Sequence, residues 1–234
     1  MAEDPAATSA DVRPPPWVGD PLPRGRHKIP REDVRASQRE RLLRAMTELV
    51  GTRGYADTSV PQIVAAARVS TNTFYGFFAD KVDCFIALCE QLGDELLGRL
   101  VTSTERAQDV PDALAALDDG LRVYLQWWPE RPALARAYFV ELPMAGPRAI
   151  AERDRQSDRF AEVLTFVAER ARVFQPELPP VRGVEVRAAA ILTRELVADE
   201  VRAGRVNEVP RLHDDMRYLL LKLLVGEDAA RRER

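Results

Sequence analysis

From residue 31 to residue 225 the apolar positions of this chain recur at helical spacing, and proline and glycine interrupt them at intervals. No segment of useful length alternates with the period of a strand. In REDVRASQRERLLRAMTELVGTRGY (31–55), Val34, Leu42, Ala45, Met46, Leu49 and Val50 form one face of an amphipathic helix. Gly51 or Gly54 supplies its left-handed stop, and Tyr55 packs back against it. The next stretch, DTSVPQIVAAARVSTNTFYGFFADK (57–81), divides into two short helices. Ser59 and Gln62 fit a capping box, with Pro61 in a first turn whose amides lack intrahelical partners. Ile63, Val64 and Ala67 make the apolar stripe of that helix. Arg68-Val69 breaks it, and Ser70 can cap the second helix. Phe74 and Phe78, four apart, share an inward face.

Two short helices joined by a tight turn, packed on a longer one, form the pattern of a helix-turn-helix. Its second helix lies in a DNA major groove. Thr71, Asn72 and Thr73 stand on the first turn of that helix, where base edges are met, and Tyr75 and Lys81 are left to face phosphates. From Val82 onward the pattern predicts further helices: about 82–104, from Pro111 to Trp128, 132–141, 147–173, 183–203 and 209–225. The fold class is therefore all-α with about nine helices. The expected organisation is an extension over 1–30, a helix-turn-helix domain over 31–81 and a helical ligand-binding and dimerisation domain over 82–228.

These residues resemble the TetR family of bacterial transcriptional regulators over roughly positions 35–90. The matching residues are Gly54-Tyr55, Thr58-Ser59, IVAAA at 63–67, Val69-Ser70, Thr73-Phe74-Tyr75, Phe78 and Asp80-Lys81. Beyond that stretch the likeness is architectural. Arg68 departs from the pattern, standing where the family usually has glycine, so a non-glycine residue is expected at positive φ at about 1–2 kcal/mol. Gly76 departs too, leaving one recognition-helix position without a side chain, as does Phe77. The resemblance implies that Ser70, Thr71 and Asn72 belong to the DNA surface and that Thr73, Tyr75 and Lys81 touch phosphates. It also implies dimerisation through the last two helices, a ligand pocket between the middle helices, and repression as the usual outcome.

Charge sharpens this picture. Residues 24–81 carry 11 Lys/Arg against 6 Asp/Glu, whereas residues 1–23 have a net charge of −3 and residues 82–234 a net charge of −5. A basic segment on an acidic body places the polyanion contact near the N-terminus. Arg24, Arg26 and Lys28, just before the first helix, form a candidate arm for phosphates or the minor groove; the plainer alternative is a solvated linker. The acidic, proline-rich first residues lack the apolar stretch of a signal peptide. No apolar run reaches the ~20 residues of a membrane span. Cys84 and Cys89 suit neither a disulfide nor a metal pair, and a reducing cytoplasm is the expected setting.

Tyr124, Trp127, Trp128, Tyr138, Phe139, Phe160 and Phe166 concentrate aromatic residues in the middle helices. All but Phe166 are candidate ligand-contacting residues for a small apolar effector, with ordinary core as the alternative. Arg122, Arg136, Glu141 and Arg159 read as solvated charges rather than ligand partners. Leu192, Leu196, Leu212, Met216, Leu220 and Leu223 are the candidate interface of a homodimer. Signals for catalysis, cofactors or metal are poor: neither a nucleophile-elbow nor a P-loop sequence is present, and His213-Asp214-Asp215 lacks a third-ligand pattern. The expected function is a DNA-binding transcriptional regulator on a near-palindromic double-stranded operator. A helical small-molecule carrier or enzyme without specific DNA binding is the alternative.

Overall fold

The computed structural model describes residues 30–106, 113–176 and 178–226. Among them are nine α-helices and no strand. Helices α1 (Arg31–Arg53), α2 (Val60–Ala67) and α3 (Thr71–Tyr75) form a small head. The body comprises α4 (Lys81–Arg106), α5 (Ala113–Trp127), α6 (Pro132–Arg136), α7 (Pro147–Phe174), α8 (Gly183–Arg202) and α9 (His213–Leu224). The expected single helix over 132–141 resolves into α6 followed by a π-helical turn, Ala137–Glu141, and then a 3-10 turn, Leu142–Ala145. The last expected helix begins only at His213, after a 3-10 stretch containing Pro210. Proline lacks the amide that an α-helical interior needs at that point.

Two apolar clusters organise the chain. One joins Leu42, Met46, Ile63, Phe74 and Phe78 of the head to Phe85, Leu88 and Cys89 of α4 and to Ala137, Leu142 and Ala149. The head is therefore not closed at residue 81; it borrows its floor from the body. The other cluster fills the space between α4, α5, α7, α8 and α9 around Leu121, Trp127, Trp128, Val197 and Leu221. Both cysteines are buried and free, and burial pushes the Cys84 thiol up to about 12.

Close backbone approach seats the head. A Cβ placed on Gly51 would lie 2.6 Å from the carbonyl oxygen of Ala133, so α1 and α6 meet without a side chain between them. Gly51 is thus a packing glycine within α1. The helix stop belongs to Gly54, at φ 90°. Among the described residues no helix is long and apolar enough to cross a membrane.

Candidate nucleic-acid interface and ligand cavity

The turn between α2 and α3 is built by three local devices. Gln62 Oε1 accepts the Ser59 amide at 2.8 Å, closing the N-terminus of α2 as the sequence pattern implied. Arg68 takes the left-handed conformation (φ 53°, ψ 47°) at its C-terminus. The guanidinium of Arg41 then donates to the carbonyls of Ala67 at 3.0 Å and Arg68 at 3.3 Å, tying the turn to α1. Arg41 is buried. Its sequence signal was available: it is seven residues after Val34 and four before Ala45, on the apolar stripe itself.

On α3, Ser70 Oγ accepts the Thr73 amide at 3.0 Å and meets Thr73 Oγ1 at 2.8 Å, so Ser70 and Thr73 cap and brace the helix. Thr71 and Asn72 are exposed, as is Tyr75, more than half accessible and set edge-on to the buried Phe74. The helix is five residues long. Beyond Tyr75 the chain turns, and the amides of Phe77 and Phe78 both reach the Phe74 carbonyl. Arg35 stacks over Phe77, 4.6 Å from the ring centroid.

Lys81 corrects the sequence expectation. Its ammonium donates to the carbonyls of Tyr55 and Thr58, both at 2.8 Å, and lies 3.9 Å from the Tyr55 ring centroid. Burial lowers its pKa from the ordinary lysine value, with Asp57 opposing that shift. Two of its three donors are committed to backbone, so Lys81 clamps the α1–α2 loop rather than reaching outward for phosphate. Arg24, Arg26 and Lys28 lie outside the described residues.

In the body, Leu92, Leu96, Tyr124, Trp128, Tyr138 and Phe160 line a cavity of about 50 Å³, with Gln156, Ser157 and Arg194 as its polar side. That volume holds roughly three or four waters. A second, apolar cavity of about 30 Å³ adjoins it, bounded by Leu100, Leu117, Gly120, Leu164 and Leu220. Tyr124 and Phe160 border both cavities and stack on one another at 5.5 Å between centroids. Trp127 and Phe139, candidates by sequence, border neither; Trp127 lies under Arg131 and Phe139 packs at 4.5 Å against Trp128. Burial raises the Tyr124 phenol above its ordinary range, with Tyr138 adding to the shift. Gln156, Ser157 and Arg194 were missed at the sequence level, since isolated polar residues on long helices carry no distinguishing pattern. Arg194 donates to Ser157 Oγ at 2.6 Å, across from α8 to α7.

Glu141 is the other surprise. It is buried, and its Oε2 accepts the Tyr55 amide at 2.8 Å across the head–body boundary. Its Oε1 accepts from Arg136 at 3.0 Å. Its signal was a lone acid within the apolar run AYFVELPM. On the last two helices, Met216 and Leu220 correct another expectation. Both are almost wholly buried in the chain's own core, whereas Leu192, Leu196, Leu212 and Leu223 are half-buried. Among the described residues no group of His, Cys, Asp and Glu has metal-binding geometry.

Residues 42–88, the span from α1 to the start of α4, match the sequence model of the bacterial regulatory proteins of the tetR family. Over that span the chain is similar to the TetR family. It is 30% identical over 123 residues to the HTH-type transcriptional regulator BetI of Stenotrophomonas maltophilia. That match spans 46% of this chain and 63% of the relative, less than two thirds of its length. Likeness of fold to solved regulators extends through the body as well. The transcriptional regulator FadR of Bacillus subtilis, solved in complex with stearoyl-CoA, superposes with a TM-score of 0.66 at 17% identity, covering 80% of this chain and 98% of that one. A TetR-family transcriptional regulator from Syntrophomonas wolfei gives 0.66 at 18% identity, covering 81% and 98%. The fatty acid degradation regulator FadR of Bacillus halodurans gives 0.62 at 19%, covering 78% and 97%.

Proposed function

We propose that this protein is a homodimeric DNA-binding transcriptional regulator whose operator affinity responds to a small, largely apolar effector. The observation that carries the reading is α3. Its inward residue Phe74 is buried, as is Phe78 just beyond the helix, while Thr71, Asn72 and Tyr75 stand clear of the head. A helix so presented, on a capped and braced turn, offers an amide and a hydroxyl to base edges and a phenol to the backbone. Ser70 and Thr73 set its start. The arm of Arg24, Arg26 and Lys28 adds phosphate contacts.

One such head reads only a few base pairs, too little for selectivity among ~10⁶ genomic sites, so pairing on a near-palindrome is needed. The surface for it is the outer stripe of α8: Val184, Ala188 and Ile191 are exposed at helical spacing, flanked by half-buried Leu192, Leu196, Leu212 and Leu223. The effector site is the cavity between α4, α5, α7 and α8. Its walls favour an apolar body, and Arg194 with Ser157 favours an end that accepts hydrogen bonds. The acyl chain carried by the Bacillus subtilis relative is in keeping with that class. The cavity must widen to admit such a molecule, which gives the ligand a reason to prefer one conformation over another.

The test is selection of specific DNA from a random pool by the full-length protein, followed by titration across salt. An operator of two related half-sites, with Asn72→Ala losing discrimination at one position of each, supports the reading. Retention on no sequence above background overturns it in favour of a carrier or enzyme. Val184→Glu with Ile191→Glu, both at exposed positions, should leave helix content intact while giving monomers that no longer hold the operator.

A further inference from the structure

The π-turn Ala137–Glu141 carries two residues that face opposite parts of the molecule. Tyr138 forms a wall of the cavity and stacks on Trp128 at 5.7 Å between centroids. Three residues later Glu141 enters the head. Its carboxylate sits over Gly54, where a Cβ would come within 3.1 Å of Oε2, and takes the Tyr55 amide. Tyr55 is held on its other sides by Lys81 at its carbonyl and by Phe85, stacked 5.4 Å from its ring. Tyr55 opens the loop that runs from α1 into α2, so whatever holds it fixes the angle at which α2 and α3 leave the body.

We infer that Glu141 is the contact through which occupancy of the cavity resets the DNA-binding head. The inference rests on the reading of the protein as a ligand-responsive regulator. A π-turn closes with i→i+5 bonds, so Arg136 and Glu141, five apart, lie side by side, where an α-turn would carry them to different faces. One residue of register separates the two turn types. A molecule that pushes Tyr138 outward acts on the same turn that aims Glu141. Conversion to α-helical register withdraws the carboxylate from both Arg136 and Tyr55. A buried carboxylate and a buried amide are costly to leave unpaired, so the contact is made or broken and has no stable halfway state. With it broken, Tyr55 keeps Lys81, Phe85 and the Thr58 amide but loses its tie to the π-turn, and α2–α3 can turn on α1.

Amide hydrogen exchange on the full-length protein tests this, with the cavity filled in two ways. One is dodecanoate as a straight-chain probe; the other is Ser157→Phe, on the cavity wall. In the wild type, filling should speed exchange of the Tyr55 amide and of residues 56–58 at least tenfold, and change affinity for the selected operator at least fivefold. In Glu141→Leu, which has no acceptor for the Tyr55 amide, the same amides should exchange fast from the outset, and filling should add less than twofold to either readout. Arg136→Met, at a half-exposed position that leaves the core untouched, should reproduce part of the effect. A full response retained in Glu141→Leu, or a Tyr55 amide that stays protected with the cavity filled both ways, overturns the inference. Failure of the wild type to select any operator instead overturns the regulator reading, and the exchange measurement still decides the role of Glu141.

Discussion

The head and the body both bury aromatic residues, but they do so to different ends. In the head, Tyr55, Phe74, Phe78 and Phe85 pack against one another and against α1, and none of them borders either cavity. In the body, Tyr124, Trp128, Tyr138 and Phe160 are in ring contact and yet border space they do not fill. The head has one task, to present five residues at a fixed angle, and filled packing serves it. The body has to accommodate something, and a collapsed cavity between stacked rings leaves it room to rearrange. The same aromatic composition thus yields a rigid part and a yielding part, according to whether the rings meet a floor or one another across a gap.

Truncation at matched positions gives the largest test of that contrast. Phe74 is fully buried, so Phe74→Ala should cost about 3–5 kcal/mol and abolish DNA binding. Phe160 is half-buried beside a cavity, where neighbours can close in, and Phe160→Ala should cost less than about 2 kcal/mol. Denaturant titration of both variants measures the difference; equal costs would mean that the body is packed as tightly as the head. Leu220→Glu belongs with Phe74→Ala, since it places a charge in the core and should unfold the body.

The joint between the regions comes next. Gly51→Ala forces a methyl group against Ala133 and should cost about 1–3 kcal/mol through overpacking, while leaving α3 itself unaltered. Of similar size is Lys81→Met, which deprives two carbonyls of a charged donor, at about 1–3 kcal/mol. The salt dependence of DNA binding should not change with it. A salt slope reduced by about one unit would instead return Lys81 to the phosphate surface.

Much of the fold was legible because its signals are local. The capping box at Ser59–Gln62, the paired Phe74 and Phe78, and the positive φ at Arg68 follow from residues within a turn of each other. What escaped the sequence depends on partners far along the chain. Lys81 looked free because its acceptors are the carbonyls of residues 55 and 58, and carbonyls have no sequence signature. Leu220 looked like an interface because YLLLKLL is apolar on more than one face, and periodicity cannot say which face meets α5 and which meets solvent. Glu141 looked solvated because its partner is a backbone amide 86 residues away. The π-turn was invisible for the same reason: tertiary contacts choose between it and an α-turn.

The smallest expected effect lies at the turn between α2 and α3. Arg68 holds φ 53°, a conformation that costs an L side chain about 1–2 kcal/mol. Glycine adopts it without steric penalty but gives back about 0.5–1 kcal/mol through a freer unfolded chain. Arg68→Gly should therefore stabilise the protein by roughly 0.5–1 kcal/mol, a rise in Tm of about 1–4 °C for a chain of this size. The bond from Arg41 to the backbone carbonyl at 68 survives the change, so the gain isolates backbone strain. Arg68→Ala keeps the strain and should show no gain, which separates relief of φ from removal of a side chain. Arg68 is exposed, two residues before Ser70, which caps the start of α3. If it also meets phosphate, Arg68→Gly will lower the salt slope of operator binding by about one unit while raising Tm. A head that becomes more stable and binds less tightly would show that the turn keeps a strained arginine for its charge. A head that loses stability would show that strain is not what Arg68 contributes to this turn.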